Sequence, residues 1–152
     1  MIRVQQEDFD IGAEIAALKA GRSDIGAIVT FTGTVRDRHG DVEAMTLEHY
    51  PGMTESELQR IEAEARARWP LQACLIVHRT GRLAPGDNIV LVATASEHRY
   101  AAFEAAKFLM GYLKTSAPFW KREDGPAGAH WVEAAENDDA SVARWKKKHA
   151  AE

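Results

Sequence analysis

The sequence has very little cysteine and no long apolar run. Its 152 residues include one cysteine, Cys74, so the chain can form no internal disulfide and no cluster of cysteine ligands for a metal. Apolar stretches such as residues 89–95 are far shorter than the roughly 20 residues that cross a bilayer. The first residues lack the basic segment and apolar segment of a signal peptide. These absences predict a cytoplasmic protein that does not bind membranes.

An excess of positive charge is also lacking. The chain has 19 Lys and Arg against 23 Asp and Glu, a net charge of −4, whereas general nucleic-acid binders are usually basic. The length suits one domain. We predict a single domain over residues 1–135 and a polar C-terminal tail over residues 136–152, either helical or ordered only with a partner.

The pattern of apolar residues predicts strands in pairs, separated by helices. Residues 25–35 and 42–50 read as a hairpin-like pair of strands, and residues 73–80 and 88–95 read as two more. Thr54 and Glu57 have the spacing of a capping box at the start of a helix over residues 54–69. Ser96 is a candidate N-cap for a helix that runs to about residue 115. This order predicts an α+β fold with a mainly antiparallel sheet.

One window of the acidic chain is basic. Residues 98–122 contain five Lys or Arg and one Glu, a local charge of +4. His98 and Arg99 fall in the first turn of the predicted helix, where free backbone N–H groups and the helix dipole favour an anion. Two interpretations remain open at this point: an anionic ligand pairs with Arg99, or its side chain simply lies in solvent.

Two lysines of this window flank an aromatic segment. Lys114 and Lys121 enclose Pro118, Phe119 and Trp120. A lysine that loses hydration beside such rings becomes a better base or nucleophile. The alternative is a pair of surface lysines whose stems lie over the rings.

The sequence supports other kinds of functional site less well. The histidines are scattered without compact ligand spacing, so we predict no metal site. Residues 32–34 lack the ending of a phosphate-binding P-loop, and Ser96 and Ser116 lack the context of an activated nucleophile. Cys74 lies in an apolar segment and is predicted to be inert packing.

Five motifs, in order along the chain, resemble the catalytic (large) subunit family of molybdopterin synthase. They are Phe-Thr-Gly-Thr-Val-Arg ending at Arg36, Leu-Glu-His-Tyr-Pro-Gly-Met ending at Met53, His-Arg-Thr-Gly from His78 with a later Pro-Gly-Asp, Ser-Glu-His-Arg ending at Arg99, and Tyr-Leu-Lys-Thr-Ser-Ala-Pro-Phe-Trp-Lys-Arg-Glu ending at Glu123. Members of this family adopt an α/β hammerhead fold with a small antiparallel β subdomain.

The resemblance implies a sulfurtransferase of molybdenum cofactor biosynthesis. Its substrate would be cyclic pyranopterin monophosphate, which is not a cofactor, and no cofactor is expected. The sulfur donor would be the C-terminal Gly-Gly thiocarboxylate of a small ubiquitin-like subunit, bound at each end of a central homodimer to give a heterotetramer.

The resemblance also implies roles for individual residues. Lys114 and Lys121 correspond to the two catalytic lysines of the family. The substrate-binding positions correspond to Thr34, Val35, Arg36, His98, Arg99, Arg122 and Glu123. The sequence departs from the family at Thr34, where a lysine is common, and at residues 134–135, two alanines where some relatives carry an arginine.

Two other functions remain as alternatives. One is an unrelated phosphoryl or acyl transferase with the same basic pocket. The other is a non-catalytic adaptor that binds a ubiquitin-like Gly-Gly tail.

Overall fold

The computed structural model describes residues 1–126, 128–132 and 145–146. Within them the chain forms, in order, β1 (Ile2–Gln5), α1 (Ile11–Lys19), β2 (Ala27–Thr34), β3 (Ala44–His49), α2 (Met53–Arg68), β4 (Leu71–Arg79), β5 (Gly81–Leu83), β6 (Asn88–Ser96), α3 (Arg99–Thr115), β7 (Phe119–Gly125) and β8 (Gly128–Val132). None of the helices in this part of the chain is both long enough and apolar enough to cross a membrane.

The first sheet has the strand order β1-β4-β6-β2 and is covered on both faces. β1 is parallel to β4, while β6 is antiparallel to both of its neighbours. Along β4, Cys74 and Ile76 face a larger core with α2 and α3, whereas Leu75 and Val77 face a smaller core that packs against α1. Burial on both faces explains the nearly continuous apolar runs of β4 and β6.

The second sheet has the order β5-β3-β7-β8 and is antiparallel at every pairing. Leu47 of β3 and Leu83 of β5 are 1% exposed and join the larger core, so the two sheets share one apolar interior. The α+β class with mainly antiparallel sheets, predicted from the sequence, is confirmed.

The predicted hairpin of residues 25–35 with residues 42–50 is wrong. β2 pairs with β6 in the first sheet, whereas β3 pairs with β5 and β7 in the second. Residues 35–43 therefore carry the chain from one sheet to the other. Neighbouring strands in sequence often pair, but here each strand pairs with the partner that completes its own buried face.

The two predicted N-cap residues, Thr54 and Ser96, are each wrong by two residues, since the N-caps are Gly52 and His98. α2 begins at Met53, and the Gly52 N–H donates to Glu55 Oε2 at 2.7 Å. Thr54 is fully buried, and its hydroxyl accepts from the Tyr50 N–H and donates to the Pro118 carbonyl, both at 3.0 Å. Ser96 stays in β6 and donates to the Pro70 carbonyl at 2.7 Å, so α3 begins after His98.

Part of the segment predicted as a polar tail belongs to the core. Trp145 is 1% exposed, and its ring packs edge-on against Trp69 and Phe108 with centroid distances of 5.4 and 5.8 Å. Residues 133–144 and 147–152 lie outside the described residues. They include the two alanines at 134–135 and the rest of the predicted tail. The domain boundary at residue 135 stays a prediction.

Cys74 has the environment predicted for a packing residue. Its side chain is 4% exposed, and burial raises the pKa of its thiol to about 12. The thiol therefore stays protonated at neutral pH, which removes its nucleophilic form.

Candidate active site

A cavity of about 800 Å³ opens where the end of β2, the end of α3 and the inner face of β7 meet. Small-molecule sites commonly have volumes of roughly 300–1,000 Å³. Three basic residues and one acidic residue carry the charge of its lining, namely Arg36, Lys114, Lys121 and Glu123. The positive window of the sequence therefore contributes two of its lysines to one concave surface.

The two lysines arrive from different elements. Lys114 lies in the last turn of α3, where a cation interacts favourably with the helix dipole. Lys121 lies in β7, opposite Leu47 of β3 and Val132 of β8. Because side chains alternate along a strand, Phe119, Lys121 and Glu123 share the face of β7 that lines the cavity.

The rim of the cavity comes from the end of β2. Thr34 and Arg36 are exposed, whereas Val35 is 3% exposed. The Val35 N–H donates to the Asp87 carbonyl at 2.9 Å, and the Gly86 N–H donates to the Val35 carbonyl at 2.8 Å. These two bonds fix the backbone from which the Arg36 side chain extends.

The wall of the cavity includes His78, which begins one of the family motifs but had no predicted role in the site. The residue is 6% exposed, and its ring stacks on Phe119 with a centroid distance of 3.7 Å and an interplanar angle of 14°. Burial, together with the positive charges of Lys121 and Lys114, lowers the pKa of His78 to about 4. The signal that could have found it is a single titratable residue inside the apolar run of β4.

Three predicted site residues lie away from this cavity. His98 and Arg99 are exposed at the start of α3, and Arg99 precedes Lys114 by about 22 Å of helix at a rise of about 1.5 Å per residue. Arg122 lies on the opposite face of β7 from Lys121, with its Nε 3.4 Å from Asp124 Oδ1. The other six, Thr34, Val35, Arg36, Lys114, Lys121 and Glu123, line the cavity.

The cavity combines cations with apolar walls. Its uncharged lining includes Met45, Ile89, Met110 and Phe119. Lysine and arginine side chains bind phosphates and other anions, while the apolar surfaces can cover a planar ring. The fold and this site define an α+β protein with a basic pocket that has apolar walls.

Comparison with known proteins gives the family. The model of the MoaE protein family matches residues 4–116. The molybdopterin synthase catalytic subunit of Mesorhizobium japonicum is 58% identical over 148 residues, which cover 95% of this chain and 92% of that protein. The chain belongs to the MoaE family, the catalytic subunits of molybdopterin synthase.

The fold of this chain matches the folds of solved structures. The molybdopterin biosynthesis MoaE protein of Burkholderia ambifaria is 56% identical and superposes with a TM-score of 0.83, covering 96% of this chain and 97% of that one. A chain in the complex of subunits 1 and 2 of molybdopterin-converting factor from Helicobacter pylori is 19% identical, with a TM-score of 0.69 over 89% of this chain and 90% of that one. The more distant chain shares the fold.

Proposed function

We propose that this chain is the catalytic subunit of a molybdopterin synthase. It transfers sulfur from the C-terminal thiocarboxylate of a small ubiquitin-like subunit to cyclic pyranopterin monophosphate, forming the dithiolene of molybdopterin. The observation that supports this most directly is the convergence of Lys114, Lys121 and Arg36 on one cavity, in a chain of this family.

The cavity suits both anionic reactants. Arg36 at the rim binds the phosphate of the pterin substrate by charge-assisted hydrogen bonds, beside Thr34 and Val35. The apolar walls cover the pterin rings, and Glu123 accepts hydrogen bonds from their N–H groups. The thiocarboxylate at the end of the donor tail is also an anion, so the two lysines attract it to the same place.

The two lysines act at different steps of each transfer. The thiocarboxylate sulfur forms a bond to a carbon of the substrate, the acyl–sulfur bond breaks, and water supplies the oxygen that completes the released carboxylate. Lys114 stabilises the oxyanion that develops on the acyl carbon. In one of the two transfers the cyclic phosphate opens and its ester oxygen leaves the attacked carbon, and in the other the oxygen on the attacked carbon leaves as water. Lys121 moves the proton that accompanies each sulfur addition.

A second copy of the chain explains the residues outside the cavity. His98 and Arg99 are too far along α3 from Lys114 to contact the same small molecule within one chain. A homodimer in which each copy presents His98 and Arg99 to the cavity of the other would bring them to the substrate. This arrangement forms the centre of the proposed heterotetramer, with one small subunit at each end, and the role of Arg122 stays a prediction.

The proposal includes a cytoplasmic location and no cofactor. The one cysteine, Cys74, is buried and free, which suits a reducing compartment because no disulfide has to be maintained. The pterin is consumed as substrate, and every group invoked in the transfer is a side chain, water or a reactant.

Reconstitution tests the proposal. The chain is mixed with the small subunit as its thiocarboxylate and with cyclic pyranopterin monophosphate, and molybdopterin is measured. We expect molybdopterin and the carboxylate form of the small subunit. Binding of the small subunit without any product would favour the adaptor, and a product that lacks sulfur would favour a different transferase.

A further inference from the structure

The His78 ring is held in one orientation by contacts on two sides. Its face stacks on Phe119 at 3.7 Å, and its Nδ1 lies 2.9 Å from the Arg79 carbonyl oxygen. A carbonyl oxygen only accepts, so Nδ1 must carry the hydrogen and donate it. In the neutral ring, Nε2 then has a lone pair and no hydrogen.

The surroundings of the ring keep it neutral. Burial is the largest cause of its lowered pKa of about 4, and Lys121, Lys114 and His49 act in the same direction, while the bond to the Arg79 carbonyl opposes them. At pH 7 nearly every molecule therefore has an unprotonated His78. Among the described residues, no hydrogen-bond partner of Nε2 is found, although His78 lines the cavity.

We propose that His78 is a further substrate-contacting residue, whose Nε2 accepts a hydrogen bond from an N–H or O–H group of the pterin. This inference rests on the proposed function, because it assigns part of that substrate to this wall of the cavity. Arg36, Lys114 and Lys121 can only donate, so Glu123 is the one charged acceptor among the described lining residues. A pterin offers several ring and amino N–H donors that require acceptors.

A neutral acceptor is suited to this position. Glu123 lines the same cavity as a charged acceptor, and a further carboxylate there would compete with the phosphate and the thiocarboxylate for the cations. The neutral imidazole accepts a hydrogen bond without adding such a negative charge. His78 thus serves the ring end of the substrate and the cations serve its anionic end.

Binding measurements on the full chain without the small subunit test this, because no sulfur can then be transferred. Cyclic pyranopterin monophosphate and inorganic phosphate are titrated separately into the wild type, His78→Phe, His78→Gln and His78→Asn. Phe keeps the stacking on Phe119 and removes both nitrogens. Gln can place an acceptor oxygen near the position of Nε2, and Asn can place a donor near the position of Nδ1.

We expect His78→Phe and His78→Asn to weaken pterin binding by about tenfold, the loss of one hydrogen bond, and His78→Gln to restore most of the affinity. The affinity for inorganic phosphate should be the same in all four proteins. Equal pterin affinity in the wild type and His78→Phe would overturn the inference, as would an equal loss of phosphate affinity. A wild type that binds no pterin would instead refute the proposed function, and this inference with it.

The pH dependence of pterin binding shows whether His78 acts as a neutral acceptor or as a cation. The ratio of pterin affinities between wild type and His78→Phe should stay constant from pH 5.5 to 8, about the range where an ordinary histidine titrates. Contributions of His49, Lys114, Lys121 and Arg36 are common to both proteins and largely cancel in the ratio. A ratio that rises toward low pH would mean that His78 binds as a cation.

Discussion

Lys114 and Lys121 reach one cavity because the chain reverses between them. The Ser116 and Ala117 N–H groups both donate to the Tyr112 carbonyl, at 2.8 and 3.1 Å, which ends α3. The next residues start β7, whose inner face returns Lys121 toward the end of the helix. This reversal places Lys114 and Lys121 in one site, and both side chains are half-buried.

Removing either lysine should slow sulfur transfer. We expect Lys114→Ala and Lys121→Ala to lower the single-turnover rate by roughly 10²–10³-fold, the usual effect of losing one charge-stabilising donor. Lys107→Ala is the matched control, because Lys107 is exposed on the same helix and lies outside the cavity. A wild-type rate in either cavity variant would remove that lysine from the mechanism.

The sequence identified most of the cavity residues to which the family resemblance assigns a role. The family motifs identified Thr34, Val35 and Arg36 together with the two lysines, and all five line the cavity. His78 was missed as a site residue, since its role depends on Phe119 and on lysines from other elements. No spacing rule connects residues that only tertiary packing brings together.

Among the elements, the longer apolar strands β2, β3, β4 and β6 were predicted from the sequence, whereas β1, β5 and β7 were not. The inner face of β7 alternates Phe119, Lys121 and Glu123, and its outer face carries Trp120, Arg122 and Asp124. Because the inner face lines a polar cavity, the alternation of apolar and polar residues that identifies a strand is missing. β5 has 3 residues, too few to give a periodic signal.

The start of α2 supports the segment that joins the two lysines. The buried Thr54 hydroxyl donates to the Pro118 carbonyl and accepts from the Tyr50 N–H. Thr54→Val keeps the shape of the side chain but leaves both backbone groups without this partner, which costs about 1–3 kcal/mol for each unsatisfied group. Because Pro118 directly precedes β7, the position of Lys121 should become less defined.

We therefore expect folded Thr54→Val to transfer sulfur at least about tenfold more slowly, since small displacements of catalytic groups are costly. The single-turnover rate is measured alongside the urea midpoint, so that a loss of rate is separated from a loss of folded protein. Thr30→Val, at an exposed position of β2, is the control and should change neither quantity. An unchanged rate in folded Thr54→Val would show that this contact is only structural.

In the whole molecule, the larger core includes Trp145, a residue near the C-terminus. Trp145 contacts Trp69 after α2 and Phe108 on α3, and Arg68 lies over the Phe108 ring at 4.7 Å. The sequence predicts a polar tail over residues 136–152 because basic residues surround Trp145. A single apolar anchor among charged neighbours has no periodicity, so only the structure shows that it is buried.

Trp145→Ala should destabilise the fold by about 3–5 kcal/mol, the usual cost of emptying a buried aromatic site. Trp131→Ala is the matched control, because Trp131 is 56% exposed and should change stability by no more than about 0.5 kcal/mol. Urea unfolding followed by circular dichroism measures both. Equal, small effects of the two substitutions would mean that Trp145 adds little to the core.

Global stability should also depend on pH through His78. Its pKa is about 4 in the folded protein and about 6.5 in an unfolded chain, so between these values the unfolded state binds more protons. The neutral ring therefore stabilises the fold fully above pH ~6.5, and this contribution is lost as the pH falls toward ~4. Its full size is about 3 kcal/mol, at about 1.4 kcal/mol per pKa unit.

His78→Phe isolates this contribution from that of the carboxylates, because it cannot take up the proton and leaves the acidic residues in place. Urea unfolding at steps from pH 7.5 to 4.5 should give a free energy that falls more steeply for the wild type than for the variant. The two curves should approach each other, or cross, as the pH decreases. Parallel curves would mean that His78 titrates alike in the folded and unfolded chain, which is incompatible with a buried ring that stacks on Phe119. The substitution therefore tests, through stability alone, the same neutral histidine that the proposed pterin contact requires.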